Sequence, residues 1–518
     1  MFSSVITGGL NGMEAYLLQA EVDVSTGLPG ICMVGSLGNE VREAKERIQV
    51  ALKNAGYDVP PNKITVNLSP ANIRKEGTGY DVPIAIGLLM SLGYFEEKAC
   101  ENMLFVGELG LNGEIKPVSG ILPIVRKASM EGVACCIVPE GNALEGSAIP
   151  GVCVKGVSNI RHLVRYLQEN DDGEKEKLLP TCQCSMPQIR KQREQEQCED
   201  FADVKGQEQA KRAAEIAAAG FHNLLMSGPP GGGKSMIARR IPGILPILTS
   251  KECLEVSAIY SVAGKLNEDM PLITMRPFQN PHHTISNAAM VGGGMRIQPG
   301  IISLAHRGVL FLDELTEFPR NVLECLRQPL EEHQVSIARA QGKYSYPSNF
   351  MLVCAMNPCK CGYYPDRNRC TCSQKDITSY WNKLSGPLLD RIDMYVETSR
   401  VELDRLQKGG KEETTEQIRK RVEAARKMQE KRFRKQKYAF NSEMSATDIE
   451  KFCVLGKSEK QLMELAYERL KLSARTYHRV LKVARTIADL EGCEQIEERH
   501  ISEALSYRFI DRGRQEGK

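Results

Sequence analysis

The chain carries the segment GPPGGGKS at residues 228–235, between a short apolar stretch, NLLM at 223–226, and a helix-compatible run, MIARR at 236–240. A strand, a glycine-rich loop and a helix in this order predict a phosphate-binding loop, and they disfavour the alternative of a simple Gly/Pro-rich turn. Such glycines let backbone N–H groups turn toward a triphosphate, while the lysine binds the β- and γ-phosphates and the serine hydroxyl ligates Mg²⁺. The residues predicted to contact ATP are Gly228, Pro229, Pro230, Gly231, Gly232, Gly233, Lys234 and Ser235.

Two further apolar strands end in polar residues that suit ATP hydrolysis. GVLFLDE at 308–314 ends in Asp313, which is suited to hold Mg²⁺, and in Glu314, which is suited to orient and deprotonate the attacking water. FMLVCAMN at 350–357 ends in Asn357, which is suited to contact the γ-phosphate or the water from a neighbouring strand. The sequence therefore predicts three strands that converge on one phosphate site.

An arginine follows these strands in SGPLLDRID at 385–393. The acidic, turn-rich context of Arg391 suits either a salt-bridged surface arginine or one presented to a neighbouring subunit. An arginine supplied in trans would neutralise the charge of the transition state.

Together these segments resemble the AAA+ ATPases. GQEQAKRAAEIAAAG at 206–220 is similar to the segment that contacts the nucleotide base in that superfamily. RPFQNPHHTISNAAMVGGG at 276–294, QPGIISLAHRGVLFLDE at 298–314, NPCKCG and SGPLLDRID resemble the magnesium-chelatase-like branch, and within it the ComM/YifB-like group. The resemblance extends from Met1 to about Arg512.

The resemblance implies a role for each candidate residue. Lys234 and Ser235 would form the Walker A pair, and Asp313 and Glu314 the Walker B pair. The remaining implied roles are sensor 1 for Asn357, the arginine finger for Arg391, and sensor 2 for Arg475 or for Arg479, one helical turn later.

The chain is expected to divide into four segments. Residues 169–200 are charged, contain two prolines and lack sustained apolar periodicity, which indicates a linker. Helical patterns without sustained heptads follow the core, which favours an all-α lid carrying Arg475 toward the phosphates over a coiled coil. The expected segments are an N-terminal α/β domain at 1–168, the linker at 169–200, an α/β core with a parallel sheet and hairpin insertions at 201–398, and the helical lid at 399–518.

The N-terminal segment resembles the Lon-protease-like S5 fold through RKEGTGYDVPIAIGLL at 74–89 and GELGLNGEIKPVSGILPIVRKA at 107–128. The places of the Lon serine and lysine hold Gly79 and Leu122 here, so no Ser-Lys dyad can form. The resemblance therefore implies a non-proteolytic scaffold. Its candidate contacts to nucleic acid, with solvated loops as the more common alternative, are Arg74, Lys75 and Lys116.

Two insertions in the core are candidates for a functional role. Residues 331–350 contain two short stretches with the alternating pattern of β-strands, one on each side of Gln341-Gly342. This pattern predicts a β-hairpin with Arg339 and Lys343 at its tip and Tyr344 behind them. In a ring the cations would track a phosphodiester backbone and the aromatic residue would stack on bases, although a structural hairpin remains the alternative.

In the other insertion we expect a pore loop at Gly292–Gly294. His282 and His283 cannot both face one site, so a packing or loop role is expected for them.

Four cysteines follow the sensor 1 candidate with the spacing C-x-C-x₈-C-x-C, and they are Cys359, Cys361, Cys370 and Cys372. Four thiolates can close a tetrahedral Zn²⁺ site and order a loop that has few apolar residues. The spacing departs from the common C-x₂-C knuckle, so a structural zinc site at 359–372 and free thiols both remain open.

Composition limits the remaining questions. The 518 residues include 68 Lys+Arg and 65 Asp+Glu, so any nucleic-acid site must be local. No 18-residue apolar run and no signal segment are apparent, and the 17 cysteines are scattered, which leads us to expect a cytoplasmic protein without membrane contact.

The resemblance implies ATP and Mg²⁺ as ligands, a homo-oligomeric and hexameric ring, and branch migration of single-stranded or branched DNA in recombination or natural transformation. The alternative is a magnesium-chelatase-type or protein-remodelling motor that acts on a partner protein.

Overall fold

The computed structural model describes residues 1–196, 199–294, 297–339, 342–400, 412–436 and 438–508. Gln341, which is expected at the hairpin turn, and residues 401–411, near the expected start of the lid, lie outside these ranges. None of the helices within these ranges combines the length and the apolar character needed to span a membrane.

The N-terminal part is built around a seven-stranded mixed sheet. Its strands and those of a small hairpin are β1 (Phe2–Asn11), β2 (Glu14–Ser25), β3 (Gly30–Val34), β4 (Lys63–Ser69), β5 (Met103–Phe105), β6 (Glu108–Leu109), β7 (Ile115–Lys116), β8 (Cys135–Pro139) and β9 (Cys153–Val157). The helices are α1 (Asn39–Asn54), α2 (Asp81–Ser91), α3 (Ile121–Met130), α4 (Glu140–Gly146) and α5 (Ile160–Gln168). The sheet order is β3-β4-β2-β1-β5-β8-β9.

The sequence explains the two most regular features of this part. β1 and β2 pair along ten positions, from Phe2 beside Asp23 to Asn11 beside Glu14, and turn at Gly12, whose φ of 64° suits glycine. Every residue of α2 is buried, as expected for a helix that is apolar on all sides.

The described residues of the expected linker, 169–196 and 199–200, are more ordered than a linker. They form α6 (Asp172–Leu178) and α7 (Met186–Glu196). Buried Lys155 on β9 donates to Glu176 Oε2 and to Leu179 O, each at 2.6 Å, and Cys182 N donates to Val154 O. Polar and backbone bonds attach this segment to the sheet edge, which is why apolar periodicity did not reveal its order.

The central part contains a five-stranded parallel sheet and two small hairpins. Its strands are β10 (Leu224–Ser227), β11 (Phe278–Gln279), β12 (Gly292–Gly293), β13 (Gln298–Pro299), β14 (Val309–Leu312), β15 (Gln334–Arg339), β16 (Gly342–Pro347), β17 (Met351–Met356) and β18 (Met394–Glu397). The helices are α8 (Glu208–Gly220), α9 (Lys234–Ile244), α10 (Ser250–Val262), α11 (Asn287–Val291), α12 (Ile301–Leu304), α13 (Arg320–Glu324), α14 (Arg327–Glu332), α15 (Gln374–Trp381) and α16 (Gly386–Leu389).

The main sheet has the order β11-β14-β17-β10-β18 with all neighbours parallel. The three central strands, β10, β14 and β17, are buried at every position, because both faces of the sheet are covered. The mixed α/β class expected from the sequence is thus confirmed for this part.

The described residues after β18 are mainly helical, as predicted. They are α17 (Thr415–Arg432), α18 (Ala446–Phe452), α19 (Lys457–Arg469), α20 (Ala474–Leu490) and α21 (Glu498–Ser506). Reciprocal side-chain and backbone bonds cap α17 at Thr414 and α18 at Ser445, which fixes where both begin. On α17, buried Gln429 donates to Ala219 O at 2.9 Å, joining these helices to α8.

The N-terminal part also contacts the central part, at α10. Gly120 N donates to Ser261 O at 3.0 Å, and the Ser261 hydroxyl donates to buried Glu145. Leu122 N donates to Glu145 Oε1 at 3.0 Å, so the position that would hold a dyad lysine is a buried packing position.

Candidate nucleotide-binding site

The predicted phosphate-binding loop joins the end of β10 to the start of α9. Gly231 and Gly233 have φ angles of 75° and 76°, in the left-handed region that favours glycine. A Cβ on Gly228 would lie 2.1 Å from Thr398 Oγ1, so this glycine permits the close packing of the loop on the end of β18. The first N–H groups of α9 have no acceptor within the helix, which suits an anion at this place.

Lys234 is buried at the centre of the loop. Its Nζ donates to Gly228 O at 2.6 Å and to Pro229 O at 3.0 Å, and lies 3.3 Å from Asn357 Oδ1. Burial lowers the pKa of Lys234, and the nearby Asp313 carboxylate opposes this shift. The ammonium thus lies between the loop and the end of β17, where the sequence predicts the γ-phosphate.

Ser235 and Asp313 meet across the sheet edge. Ser235 Oγ donates to Asp313 Oδ2 at 2.7 Å, although the two residues are 78 positions apart. A hydroxyl and a carboxylate are oxygen ligands of the kind that Mg²⁺ prefers. The donor set therefore fits a Mg²⁺ bound with ATP.

Glu314 follows Asp313 in a conformation that is uncommon for a non-glycine residue, with φ of 51°. Its N–H donates to Asp313 Oδ1 at 3.0 Å, and its side chain is exposed. His283 Nδ1 lies 3.7 Å from Glu314 Oε2. From the sequence only a packing or loop role is expected for His283, since no spacing rule connects a loop histidine with a distant strand end.

The four cysteines lie together directly after Asn357. Their Sγ atoms are all within 4.8 Å of one another, and the separations from Cys359 to Cys361 and to Cys370 are 3.3 and 3.8 Å. With Zn–S bonds of about 2.3 Å, tetrahedral geometry requires sulfur separations of about 3.8 Å. The four thiols are therefore close enough together to hold Zn²⁺.

Local hydrogen bonds favour a thiolate in this cluster. Burial by itself raises the pKa of Cys361, but hydrogen bonds from the backbone of Tyr363 and Thr371 and from the Cys359 thiol lower it to about 6. A thiolate, and not a thiol, is the metal ligand.

The cysteine loop packs on the phosphate-binding loop. A Cβ added to Gly362 would lie 2.8 Å from Pro230 Cδ and 3.9 Å from Asn357 Cγ. From the following helix, Trp381 Nε1 donates to Pro358 O at 3.1 Å. The order of the cysteine loop is thereby linked to the position of the phosphate-binding loop.

Arg391 lies at the other edge of the sheet. β10 and β18 are parallel, with Leu224 beside Met394 and Ser227 beside Glu397, so a residue that precedes β18 is at the edge where the strands begin. Four residues of strand separate the two edges by roughly 13 Å. The Arg391 guanidinium pairs with Glu331 and donates to Pro387 O, so this arginine is salt-bridged within the chain.

Both sensor 2 candidates line the same cavity as Arg391, which has a volume of about 390 Å³. Arg479 donates to Ile392 O at 2.7 Å and pairs with Asp390, which makes it a brace between the helices and the core. Arg475 is exposed and has no hydrogen bond or ion pair to any other described residue. The expected approach of Arg475 to the phosphates of its own chain is therefore not seen, because the helices pack at the edge where the strands begin.

The predicted hairpin is present as β15 and β16, which pair from Gln334 beside Pro347 to Arg339 beside Gly342. Gly342 belongs to the strand and not to the turn. Arg339 and Lys343 are exposed, as predicted.

The aromatic residues of the hairpin are not free. Tyr346 is buried and donates to Ile297 O at 3.0 Å. Tyr344 is half-buried, and a Cβ on Gly12 would lie 3.1 Å from its Cδ1. Packing against the β1–β2 turn thus covers part of the Tyr344 ring, which the sequence predicts to stack on bases.

Lys75 does not occupy the exposed position that the sequence predicts for it. It is fully buried, its Nζ donates to Pro70 O, and burial lowers its pKa. A candidate contact to nucleic acid needs an exposed cation, so Lys75 is removed from that group.

Comparisons with known proteins cover nearly the whole chain. Three protein-family models match the chain. They are "Subunit ChlI of Mg-chelatase" at residues 20–142, "Magnesium chelatase, subunit ChlI" at residues 200–406, and "Magnesium chelatase, subunit ChlI C-terminal" at residues 412–508. The chain is 40% identical to competence protein ComM of Haemophilus influenzae over 97% of this chain and 96% of that one. It is 41% identical to YifB of Escherichia coli, over 98% and 97%. Its match to the magnesium-chelatase 38 kDa subunit of Cereibacter sphaeroides is 25% identical over 30% of this chain and 52% of that one.

Proposed function

This chain belongs to the magnesium-chelatase-like family of AAA+ proteins, in its ComM/YifB branch, and on that premise we propose that it is an ATP-hydrolysing ring motor acting on DNA. The observation that carries the ATPase proposal is the meeting of Lys234, Ser235, Asp313 and Asn357 at one sheet edge. Residues that follow three strands distant in sequence supply the groups that phosphoryl transfer needs.

Each residue has one proposed task. The N–H groups of the loop and Lys234 bind the β- and γ-phosphates, and Ser235 and Asp313 hold Mg²⁺. Mg²⁺, when bound, neutralises charge on the phosphate oxygens. Glu314 takes a proton from the attacking water as the water oxygen bonds to the γ-phosphorus and the bond from that phosphorus to the β–γ bridging oxygen breaks, which releases ADP. Asn357 orients the attacking water.

We propose that copies of this chain assemble into a homo-oligomeric ring, and that the ring is a hexamer. Arg391 and Arg475 share a cavity at the edge opposite Lys234, so neither is suited to the nucleotide of its own chain. A head-to-tail contact that repeats around an axis would bring this edge to the nucleotide of the next subunit. There Arg391 would exchange Glu331 for the γ-phosphate, with Arg475 beside it.

DNA is the proposed partner, either single-stranded or branched, and branch migration in recombination or natural transformation is the proposed activity. The whole-chain identity to a competence protein and the exposed Arg339 and Lys343 support this choice. A Cβ on Gly293 would lie 3.3 Å from Arg339 Nη2, so the hairpin and the predicted pore loop are neighbours. The proposed location is the cytoplasm, where ATP and DNA are available.

We propose a Lon-like, non-proteolytic domain at 1–168, followed by the segment at 169–200, the ATPase core at 201–398 and the lid at 399–518. Gly79 and buried Leu122 support the absence of proteolysis. Structural Zn²⁺ is proposed at Cys359, Cys361, Cys370 and Cys372.

The alternative is a chelatase-type or protein-remodelling motor. It is supported by the family itself and by the partial match to a magnesium-chelatase subunit. The test measures ATP hydrolysis at stated salt with no DNA, single-stranded DNA and branched DNA, with Glu314→Gln as the background control. Stimulation by DNA supports the proposal. Hydrolysis that is indifferent to every DNA but rises with a second protein would replace it by the alternative.

A further inference from the structure

Asn223 connects three functional segments of the proposed ATPase. Its Oδ1 accepts from Leu352 N at 2.8 Å, and its Nδ2 donates to Arg391 O, also at 2.8 Å. Leu352 lies on β17, the strand that ends beside Asn357, while Asn223 itself immediately precedes β10 and the phosphate-binding loop. One amide therefore links the strands of the nucleotide site to the segment that carries Arg391.

The backbone of Asn223 is anchored as firmly as its side chain. Its N–H donates to Asp393 Oδ2 at 2.9 Å, and its carbonyl accepts from Asp393 N and Met394 N, both at 3.0 Å. These bonds fix the position of the residue relative to β18 without the amide. The amide bond to Arg391 O is thus additional to the sheet, and a residue that served only the sheet would not need it.

The same segment reaches the lid. His222 Nε2 lies 2.8 Å from Thr486 Oγ1 on α20, and His222 Nδ1 lies 3.8 Å from Asp393 Oδ2. His222 and Thr486 are both fully buried, so the backbone around Asn223 has little freedom to move independently of the lid.

We propose that Asn223 is a positioning residue that holds Arg391 in register with the sensor strand β17, so that the nucleotide state of one subunit determines how Arg391 is presented to the next. The inference rests on the proposed function, because it takes Arg391 to act across a subunit contact. Asn223 itself touches neither nucleotide nor reacting atoms.

Two variants separate the side-chain bonds. Asn223→Ala removes both, whereas Asn223→Asp keeps an acceptor for Leu352 N and replaces only the donor to Arg391 O. Asn349→Ala is the matched control, because it removes an amide at the same sheet edge that bonds Glu443 and not Arg391. For each full-length variant, thermal unfolding, ATP affinity, ring assembly and hydrolysis are measured.

We expect both Asn223 variants to bind ATP and assemble like the unaltered protein while kcat falls by on the order of 100-fold, the usual cost of misplacing a catalytic group by about 1 Å. Asn349→Ala should retain hydrolysis. Loss of ATP binding in both Asn223 variants would overturn the proposal, because it would assign Asn223 to its own phosphate-binding loop.

Mixed rings give the deciding measurement. Arg391→Ala keeps a nucleotide site but supplies no arginine, and Lys234→Ala supplies the arginine but lacks a site. If Asn223 positions Arg391, its variants recover activity when mixed with Lys234→Ala and not when mixed with Arg391→Ala. The opposite pattern would show that Asn223 supports only its own site, and would overturn the inference while leaving the ring intact. If Arg391→Ala and Lys234→Ala fail to complement each other despite co-assembly, the trans arrangement fails, and the inference fails with it.

Discussion

Ser235 Oγ and Asp313 Oδ2 are 2.7 Å apart, joined by a hydrogen bond between the first turn of α9 and the end of β14. Lys234 precedes this serine and Glu314 follows this aspartate, so the single contact places the residue proposed to bind phosphate near the residue proposed to activate water. The two tasks are separable, because Lys234 is buried in the loop whereas Glu314 is exposed beyond the strand end.

We therefore predict that one substitution affects ATP binding and the other affects turnover. Lys234→Ala removes charge-assisted bonds worth about 1.5–3 kcal/mol each and should weaken ATP binding by on the order of 100-fold. Glu314→Gln should keep the affinity but slow phosphate release by on the order of 100-fold or more, because the general base is lost. Nucleotide titration and steady-state hydrolysis check both. Equal ATP affinity of Lys234→Ala and the unaltered protein, or undiminished turnover by Glu314→Gln, would contradict the assigned tasks.

His283 offers a second prediction, since its Nδ1 lies 3.7 Å from Glu314 Oε2. We expect an imidazole at this distance to compete with a water for the carboxylate, and the histidine belongs to the insertion that leads to the predicted pore loop. His283→Ala should raise hydrolysis in the absence of DNA and reduce the stimulation ratio when DNA is added. The adjacent His282, whose Nδ1 contacts Thr284 Oγ1 at 2.9 Å, gives the matched control. Indistinguishable rates for the two alanine variants would remove His283 from the regulation of Glu314.

The cysteine loop gives a prediction with two readouts. The protein should contain about one zinc per chain, and Cys359→Ser with Cys361→Ser should lose it, because two of four ligands are gone. ATP affinity should fall in parallel, since Gly362 packs on Pro230 of the phosphate-binding loop. Cys32→Ser, an exposed thiol outside the cluster, serves as the control. Elemental analysis that finds no metal in tag-free protein would contradict the zinc site, and unchanged ATP affinity after zinc loss would contradict its link to the loop.

The sequence was informative where function depends on short, contiguous patterns. The loop at 228–235 and the carboxylates that end β14 are local signals, and parallel strands bring them together wherever the helices between them pack. The sequence predicted no role for Asn223 and only a packing or loop role for His283, because their contacts depend on which strands are neighbours and on the course of a loop. The burial of Lys75 and the packing of Tyr344 on Gly12 likewise depend on contacts between distant segments. Charge and aromatic character alone therefore overstated the nucleic-acid surface.

The hairpin gives the last prediction. Arg339 and Lys343 are exposed at the paired ends of β15 and β16, and this hairpin lies in sequence between β14, which leads to Asp313, and β17, which leads to Asn357. A change at the γ-phosphate can thus reach the hairpin through both strands. Arg339→Ala with Lys343→Ala should weaken binding to single-stranded and junction DNA and leave basal hydrolysis unchanged, because the nucleotide site is intact.

The salt dependence distinguishes a direct contact from a change in overall charge. Each lost phosphate contact lowers the slope of log affinity against log salt by about 1, so the double variant should lose about 2. Lys457→Ala with Lys460→Ala removes the same charge from exposed positions on α19 and should leave the slope unchanged. Equal slopes for the hairpin variant and the unaltered protein, together with unaltered branch migration, would remove the hairpin from the DNA path. A partner protein would then become the better candidate substrate of this motor.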